Sequence, residues 1–459
     1  MSRLAQVTSG IYVHPLSYVR AERGWTQQDV VDVIAERVGG SARRNKAWLW
    51  ENRNVVPDWP SQVALAAELG IPESRLVEEP WPQWLPDGDP IRTDFAWSQT
   101  GSIQALEDVL EHGVRDRRGF MKLTGSALVA LAHDWLRAEP AELVAALRGG
   151  RVADTFVDRL EEGLPRLRFL EAERGGQEAR RLIDAELGLV AEVLANSSYT
   201  IETGRRLYAL AGELGRMAGW ASFDAGLHAA AQRYWAAAIH AAHAADDRPL
   251  GANIMKSMSL QCYDFADPAE ALALARSAYE GASDTTPRTV AMFALREARA
   301  HAALGDLSAC ERLLGEAESA VSRADTAVDP DPAWIGYFDD AEFYAQIGTC
   351  YLDLGTRHGD RRQFTRADTY LAKTLRLLPE TKVRDRATYL TRRASAQTQL
   401  GNLDRACQLL TDTIPLVHSA PSQRNIRRMF TVRNRLPLNR RDARARALDE
   451  HLRVLTNAS

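Results

Sequence analysis

Two segments decide the fold: LGDLSACERLLGEAE (304–318) and LGNLDRACQLLTDTI (400–414). Each opens on Leu-Gly, continues with Asp or Asn and Leu, and sets a small residue, Cys310 or Ala406, at the same place in the next helical stretch. Glycine suits the end of one helix, and apolar residues at i, i+3, i+4 and i+7 beyond it describe one buried stripe of the next. Three further stretches share the register: FDAGLHAAAQRYWAAAI (223–239), FADPAEALALARSAY (265–279) and YLDLGTRHGDRRQFTRADTYLAKTL (351–375). They bring Ala231, Ala271 and Ala367 to the small-residue position, so successive spacings are 40, 39, 57 and 39. Helix, turn and helix at such a period predict stacked helical hairpins, each burying its faces against its neighbours. The small residues are expected where two helix backbones approach closely.

These units resemble tetratricopeptide repeats over roughly 207–416, although the repeat is longer than that family's usual length. The helical pattern from Ile103 to Asn196 is expected to extend the stack less regularly. Strand signals are nearly absent along the chain, so the predicted fold class is all-α. The expected domains are 1–77, a Pro- and Trp-rich connector over 78–102, and a helical repeat domain over 103–459. The connector's four prolines stop helices, and its tryptophans suggest packing on a neighbouring domain.

Composition sets further bounds. Apolar residues make up 45% of 459 residues and charged ones 26%, as in a water-soluble protein with ample core. No apolar run is long enough for a membrane span. The stretch DRRGFMKLTGSALVALAHDWL (116–136) has the twin arginines of an export signal, but it starts far inside the chain and its apolar run breaks at His133-Asp134. It reads as an ordinary helix with Phe120, Leu123, Leu128, Leu131 and Leu136 inward and Arg117, Arg118 and Lys122 solvated, and the expected location is the cytoplasm. Cys262, Cys310, Cys350 and Cys407 match no zinc or redox spacing and read as reduced core residues. His240 and His243 could share a helix face, but they lack further ligands at metal spacing. Neither a metal nor a cofactor is expected.

The most informative region is PLSYVRAERGWTQQDVVDVIAERVGGSARRNKAWLWENRNVVPDWPSQVALAAELGIP (15–72). It divides into short helices over 16–22, 27–38, 43–51 and 61–69, with Thr26 as an N-cap. Val30, Val33, Ile34, Trp50, Val63, Leu65, Ala66 and Leu69 are the expected core. RAERGWTQ (20–27), WEN (50–52) and LAAELGI (65–71) resemble the helix-turn-helix of the phage-repressor (Xre/Cro) family, with a second helix and turn several residues longer than usual. That resemblance implies a lambda-repressor-like DNA-binding domain. Matching positions put Arg44, Asn45 and Lys46 on the turn that reads base edges, with Gln27, Arg43 and Arg53 on phosphates. Independently, 37–53 holds five basic residues and one acid, whereas the whole chain carries a net charge of −4. Trp50 and Glu51 read as structural.

A second basic run, 424–446, carries nine arginines and one acid. Its helical spacing suggests a solvated terminal helix or a surface for an acidic partner, with DNA contact as the alternative. No phosphate loop, nucleophile elbow or metalloprotease motif occurs, so no catalysis is expected. Projecting the repeat register onto a concave surface picks out Glu213, Arg216, Trp220 and Phe223, then Asn253, Lys256 and Tyr263, then Arg299 and Glu342. Such a mixture suits a peptide or a small-molecule signal. The combination is similar to the repeat-bearing Xre regulators of actinobacteria, which implies a regulator that binds an operator in double-stranded DNA and responds to a ligand, and a homodimer is expected because one module this small reads few base pairs. The alternative is a protein-interaction adaptor that no longer binds DNA.

Overall fold

The computed structural model describes residues 15–23, 25–38, 45–53, 55–69, 71, 73, 76, 81–82, 84–85, 91–112, 126–139, 146–147, 149–174, 176–265, 267–281, 285–324, 330–438 and 442–456. The chain is all-α, apart from a two-residue antiparallel ladder that pairs β1 (Ala146–Leu147) with β2 (Ser198–Tyr199). It divides into two compact units, one formed by 1–91 with 115–122 and the other by 92–114 with 123–459.

The first unit contains α1 (Pro15–Arg23), α2 (Gln27–Val38), α3 (Asn45–Asn52) and α4 (Trp59–Leu69). The start of α2 is fixed by a reciprocal cap. Thr26 Oγ1 accepts from the Asp29 amide at 3.2 Å, and the Thr26 amide donates to Asp29 Oδ2 at 2.6 Å. Residues 43 and 44 of the expected third helix lie outside the described residues, α3 being described from Asn45, and α4 begins two residues earlier than expected, where Asp58 caps the Ser61 amide at 2.9 Å. Of the expected core, Val30, Ile34, Trp50, Leu65, Ala66 and Leu69 are buried, while Val33 and Val63 are half-buried. Leu16, Val19, Ala47, Trp84 and Leu85 are among the further residues of that core. Trp84 is fully buried, and its indole N–H donates to Gln62 Oε1 at 2.9 Å. Trp81 packs edge-on against Trp84 and Trp50. The start of the expected connector is therefore part of this unit's core, because two indoles supply apolar area that four short helices lack.

The second unit begins with α5 (Gln99–His112), α6 (Ser126–Arg137), α7 (Asp154–Arg174) and α8 (Gly176–Asn196). Next come five helical hairpins: α9 (Ile201–Asp224) with α10 (His228–Ala244), α11 (Arg248–Cys262) with α12 (Pro268–Gly281), α13 (Pro287–Leu304) with α14 (Leu307–Ala324), α15 (Asp340–His358) with α16 (Arg361–Leu377), and α17 (Val383–Gln399) with α18 (Leu403–Ser419). The chain ends in α19 (Gln423–Arg435) and α20 (Ala443–Thr456). First helices of successive hairpins also touch: α9 meets α11, α11 meets α13, α13 meets α15 and α15 meets α17. The five small register residues, Ala231, Ala271, Cys310, Ala367 and Ala406, have no exposed surface.

Four of the five hairpin turns carry a left-handed glycine, at Gly226, Gly305, Gly359 and Gly401, with φ between +65° and +88°. At Gly305 and Gly401 this is the physical content of the Leu-Gly pairs, since an L side chain is strained in that conformation, whereas Leu354-Gly355 lies inside α15 and Gly359 makes that turn. Helices α7 and α8 precede α9 in the packing order, but α5 lies on α10, and α6 lies on α10 and α12. The latter pair thus covers second helices of the hairpins instead of extending the row. Trp135 of α6 sets that docking: a Cβ at Gly281 or Gly251 would meet its ring at 2.3 or 2.7 Å. In the export-like stretch, Leu128 and Leu131 are buried and Leu136 packs on the same core, whereas 116–125 lies outside the described residues. No helix among the described residues is long and apolar enough to cross a membrane.

Candidate functional site

The second unit contains a half-open cavity of about 700 Å³. Its walls come from the ends of α9 and α11, from α13, α15 and α17, and from α19. Seven arginines line it, Arg299, Arg357, Arg392, Arg424, Arg427, Arg428 and Arg435, against the carboxylates of Asp264 and Asp353. The formal excess, seven minus two, is five positive charges. Four of these arginines belong to α19, so part of the second basic run faces this cavity.

The arginines differ in how they are held. Arg299 Nε donates to Asp353 Oδ2 at 3.0 Å, and its guanidinium lies 4.1 Å from the centre of the Tyr263 ring. Arg392 Nη1 donates to Thr349 Oγ1 at 2.9 Å. Arg424 sits over Trp220 and Phe223, at 5.0 and 5.2 Å. Arg428 Nη2 reaches Asp264 Oδ1 at 3.5 Å. Arg299 Nη1, Arg424 Nε and Arg428 Nη1 are buried and have no acceptor among the described residues. Burial, with the like charges of Arg424 and Arg392, draws Arg428 below the ordinary guanidinium value. Burial and the charge of Arg299 do the same to Arg392.

Of the expected concave residues, Phe223, Tyr263 and Arg299 line this cavity, and Trp220 supports Arg424. The rest form other contacts. Arg216 is paired with Glu213 at 2.8 Å, and Glu213 also accepts from Arg168 at 3.0 Å. Lys256 is buried, with Nζ donating to the Tyr337 hydroxyl and lying 3.8 Å from the Met292 sulfur. Burial, reinforced by Arg296 and Arg216, holds its ammonium well below the usual lysine value. Glu342 accepts from Tyr389 and from Gln346. Asn253 is fully buried, and neither atom of its amide has a partner among the described residues.

A clasp joins the start and the end of the hairpin series. Asp224, the last residue of α9, accepts from Arg384 of α17, accepts the Ser422 hydroxyl at 2.9 Å, and has Arg424 of α19 at 3.5 Å. Arg384 also donates to the Glu171 carbonyl of α7 at 2.7 Å. Ser422 caps α19 as well, accepting from the Asn425 amide at 3.3 Å, so the same hydroxyl starts that helix and anchors it. Repeat periodicity carries no trace of this arrangement. Arg392, Arg424 and Arg428 were not among the expected ligand residues, although the arginine-rich run was the visible signal for two of them.

In the first unit, Lys46 and Arg53 are exposed, and Asn45 is the first residue of α3. Arg43 and Arg44 lie outside the described residues. Gln27 is half-buried and donates to Glu51 Oε2 at 2.8 Å, while Arg20 forms an ion pair with the same carboxylate. Glu51 is 8% exposed and ties α1, α2 and α3 together. Arg37 pairs with Glu68 at 2.6 Å, which removes one charge from the basic patch. Trp48, Val55, Val56 and Trp59 are exposed around α3. No family model, curated protein or solved structure matches the chain.

Proposed function

We propose that this protein is a DNA-binding transcription regulator that responds to a ligand and acts in the cytoplasm. The first unit is then a helix-turn-helix domain that lays α3 in the major groove of an operator. Arg44, Asn45 and Lys46 address base edges, and Arg43 and Arg53 address phosphate. Gln27 approaches phosphate through the start of α2, its side chain being committed to Glu51. The second unit is a tetratricopeptide-like α-solenoid that senses the signal. The observation that carries this reading is the arginine-lined cavity of about 700 Å³, a volume typical of small-molecule sites. The DNA-binding half rests on the exposure of Lys46 and Arg53 and on the family resemblance of 20–71.

A homodimer fits this reading, because one small module reads few base pairs and two-fold sites double the contact. Leu182 and Leu189, seven residues apart on α8, and Phe169 on α7 are exposed and could serve as the self-association face. The exposed Trp48, Val55, Val56 and Trp59 favour the second reading, an adaptor whose first unit grips another protein. Selection from a random duplex library with the full chain separates the two. The regulator enriches one sequence, binds it with steep salt dependence, and loses affinity on Lys46→Ala. Equal, weak binding to every duplex, unchanged in Lys46→Ala and Arg53→Ala variants, leaves the adaptor.

A further inference from the structure

We propose that the arginine-lined cavity binds a small organic polyanion, a molecule with two or more phosphate or carboxylate groups, one per chain. The proposal gives a chemical class to the ligand of the sensor reading above and rests on that reading only for its regulatory meaning.

The cluster's own partners leave it electrostatically incomplete. Arg299 arrives from α13, Arg392 from α17, and Arg424 and Arg428 from α19, and all four meet the same space. Like charges gathered away from bulk water repel, and buried donors without acceptors cost free energy. Three of the four guanidiniums hold such a donor. Among the described residues, Asp353 and Asp264 are the carboxylates that line the cavity, each already engaged by one arginine, and Arg424 has Asp224 at 3.5 Å, so three carboxylates answer seven arginines. A monoanion would leave most of the excess charge in place, whereas two or three anionic groups would satisfy the open N–H donors with charge-assisted bonds. The depressed proton affinities of Arg428 and Arg392 report the same crowding.

Size argues for a small molecule. The volume suits a ligand up to about the size of a mononucleotide, and helices bound it on several sides, unlike the open track a nucleic-acid backbone needs. The rim arginines Arg357, Arg427 and Arg435 are exposed, so they can draw an anion inward without being consumed by burial. Phe223 and Tyr263 are already covered by Arg424 and Arg299, which leaves guanidinium planes as the surfaces a ligand ring would stack on.

Titration calorimetry and thermal shift on the full chain, without DNA, test the proposal using inorganic pyrophosphate, ADP and citrate, with acetate and hexaglutamate for comparison. At least one of the first three should bind at one per chain, weaken with added salt and raise the melting temperature. Pyrophosphate and citrate separate phosphate from carboxylate recognition. Arg428→Gln should lose roughly tenfold or more in affinity while the ligand-free protein melts no lower than wild type, since one repelling charge is gone. Arg392→Gln should repeat the pattern, which guards against a folding defect in the first variant. The proposal is overturned if none of the three probes binds more tightly than acetate, if hexaglutamate outcompetes them all, or if both glutamine variants bind like wild type. Polyanion binding with no operator binding would remove the regulator reading alone. Operator binding with no polyanion binding would remove this proposal alone.

Discussion

At Asp224 a single buried carboxylate answers the guanidiniums of Arg384 and Arg424 and the hydroxyl of Ser422. Removing one partner of a buried ion pair leaves the other charge without compensation, which costs about 3–5 kcal/mol. Asp224→Asn keeps the shape and removes the charge, so we expect a loss near that size in chemical denaturation. Adding Arg384→Met should return part of it, because the stranded charge goes too. A change within about 0.5 kcal/mol, the usual scale of a surface substitution, would mean that the clasp is not energetically coupled. His240 offers a different test. It is fully buried, stacks on Trp97 at 4.1 Å, and burial followed by the charge of His243 pushes its imidazole down to about 4. The folded value lies below the unfolded one, so between those two values the unfolded state binds the proton and the folded state does not. Stability should therefore be fully present above about pH 6.5 and fall by about 3 kcal/mol on acidification to about pH 4. His240→Phe keeps the stack and should flatten that share of the slope in denaturation curves taken across the range. An unchanged slope would place the titration elsewhere.

The left-handed glycine turn is the device that the hairpins repeat, and Gly401 isolates its backbone cost. Its φ is +80°, and a Cβ there would have no heavy atom within 4 Å, so an added methyl clashes with nothing. Gly401→Ala should cost about 1–2 kcal/mol through conformation alone, and Gly401→Asn should cost less, because asparagine tolerates this region. Equal losses for Ala and Asn would point to an unseen steric cause. The turns at Gly305 and Gly401 were legible because they are local: a Leu-Gly pair, a polar cap and a small residue at fixed spacing. The start of α2 at Gln27 was legible for the same reason. Helices α5 and α6 were not, because their own apolar stripes fit an added hairpin as well as a cover over α10 and α12. The feature that distinguishes the two is Trp135 meeting Gly251 and Gly281, more than 110 residues downstream. The same limit applies to the site. The register found Tyr263 and Arg299, which lie on the hairpin row, but not Arg424 or Arg428. Those two reach the cavity because α19 is anchored through Ser422 to Asp224, a contact about 200 residues long that no local pattern encodes.

Across the whole chain, the second unit holds several buried clusters, while the first depends on one small core to which Trp84 is a large contributor. Trp81 and Trp84 fall within the stretch expected to be a connector. The packing of half-buried Trp81 on Trp50 and of fully buried Trp84 on Gln62 makes them structural to the first unit instead. Deleting a buried indole costs about 3–5 kcal/mol, comparable with the entire stability of a module this small. Trp84→Ala should therefore unfold the first unit and abolish operator binding. The second unit should keep its fold, since its clusters lie within its own helices, and polyanion binding at Arg428 should persist. Hydrogen exchange by mass spectrometry on the full chain resolves this region by region. In Trp84→Ala, peptides from 15–69 should exchange as an unfolded chain, while peptides from 201–435 should keep wild-type protection. Adding the tightest-binding probe should slow exchange further around 299, 392 and 424–428 in both proteins alike. A loss of protection spread evenly over both regions would mean that the units fold as one cooperative body, and Trp84 would then be holding the whole molecule together.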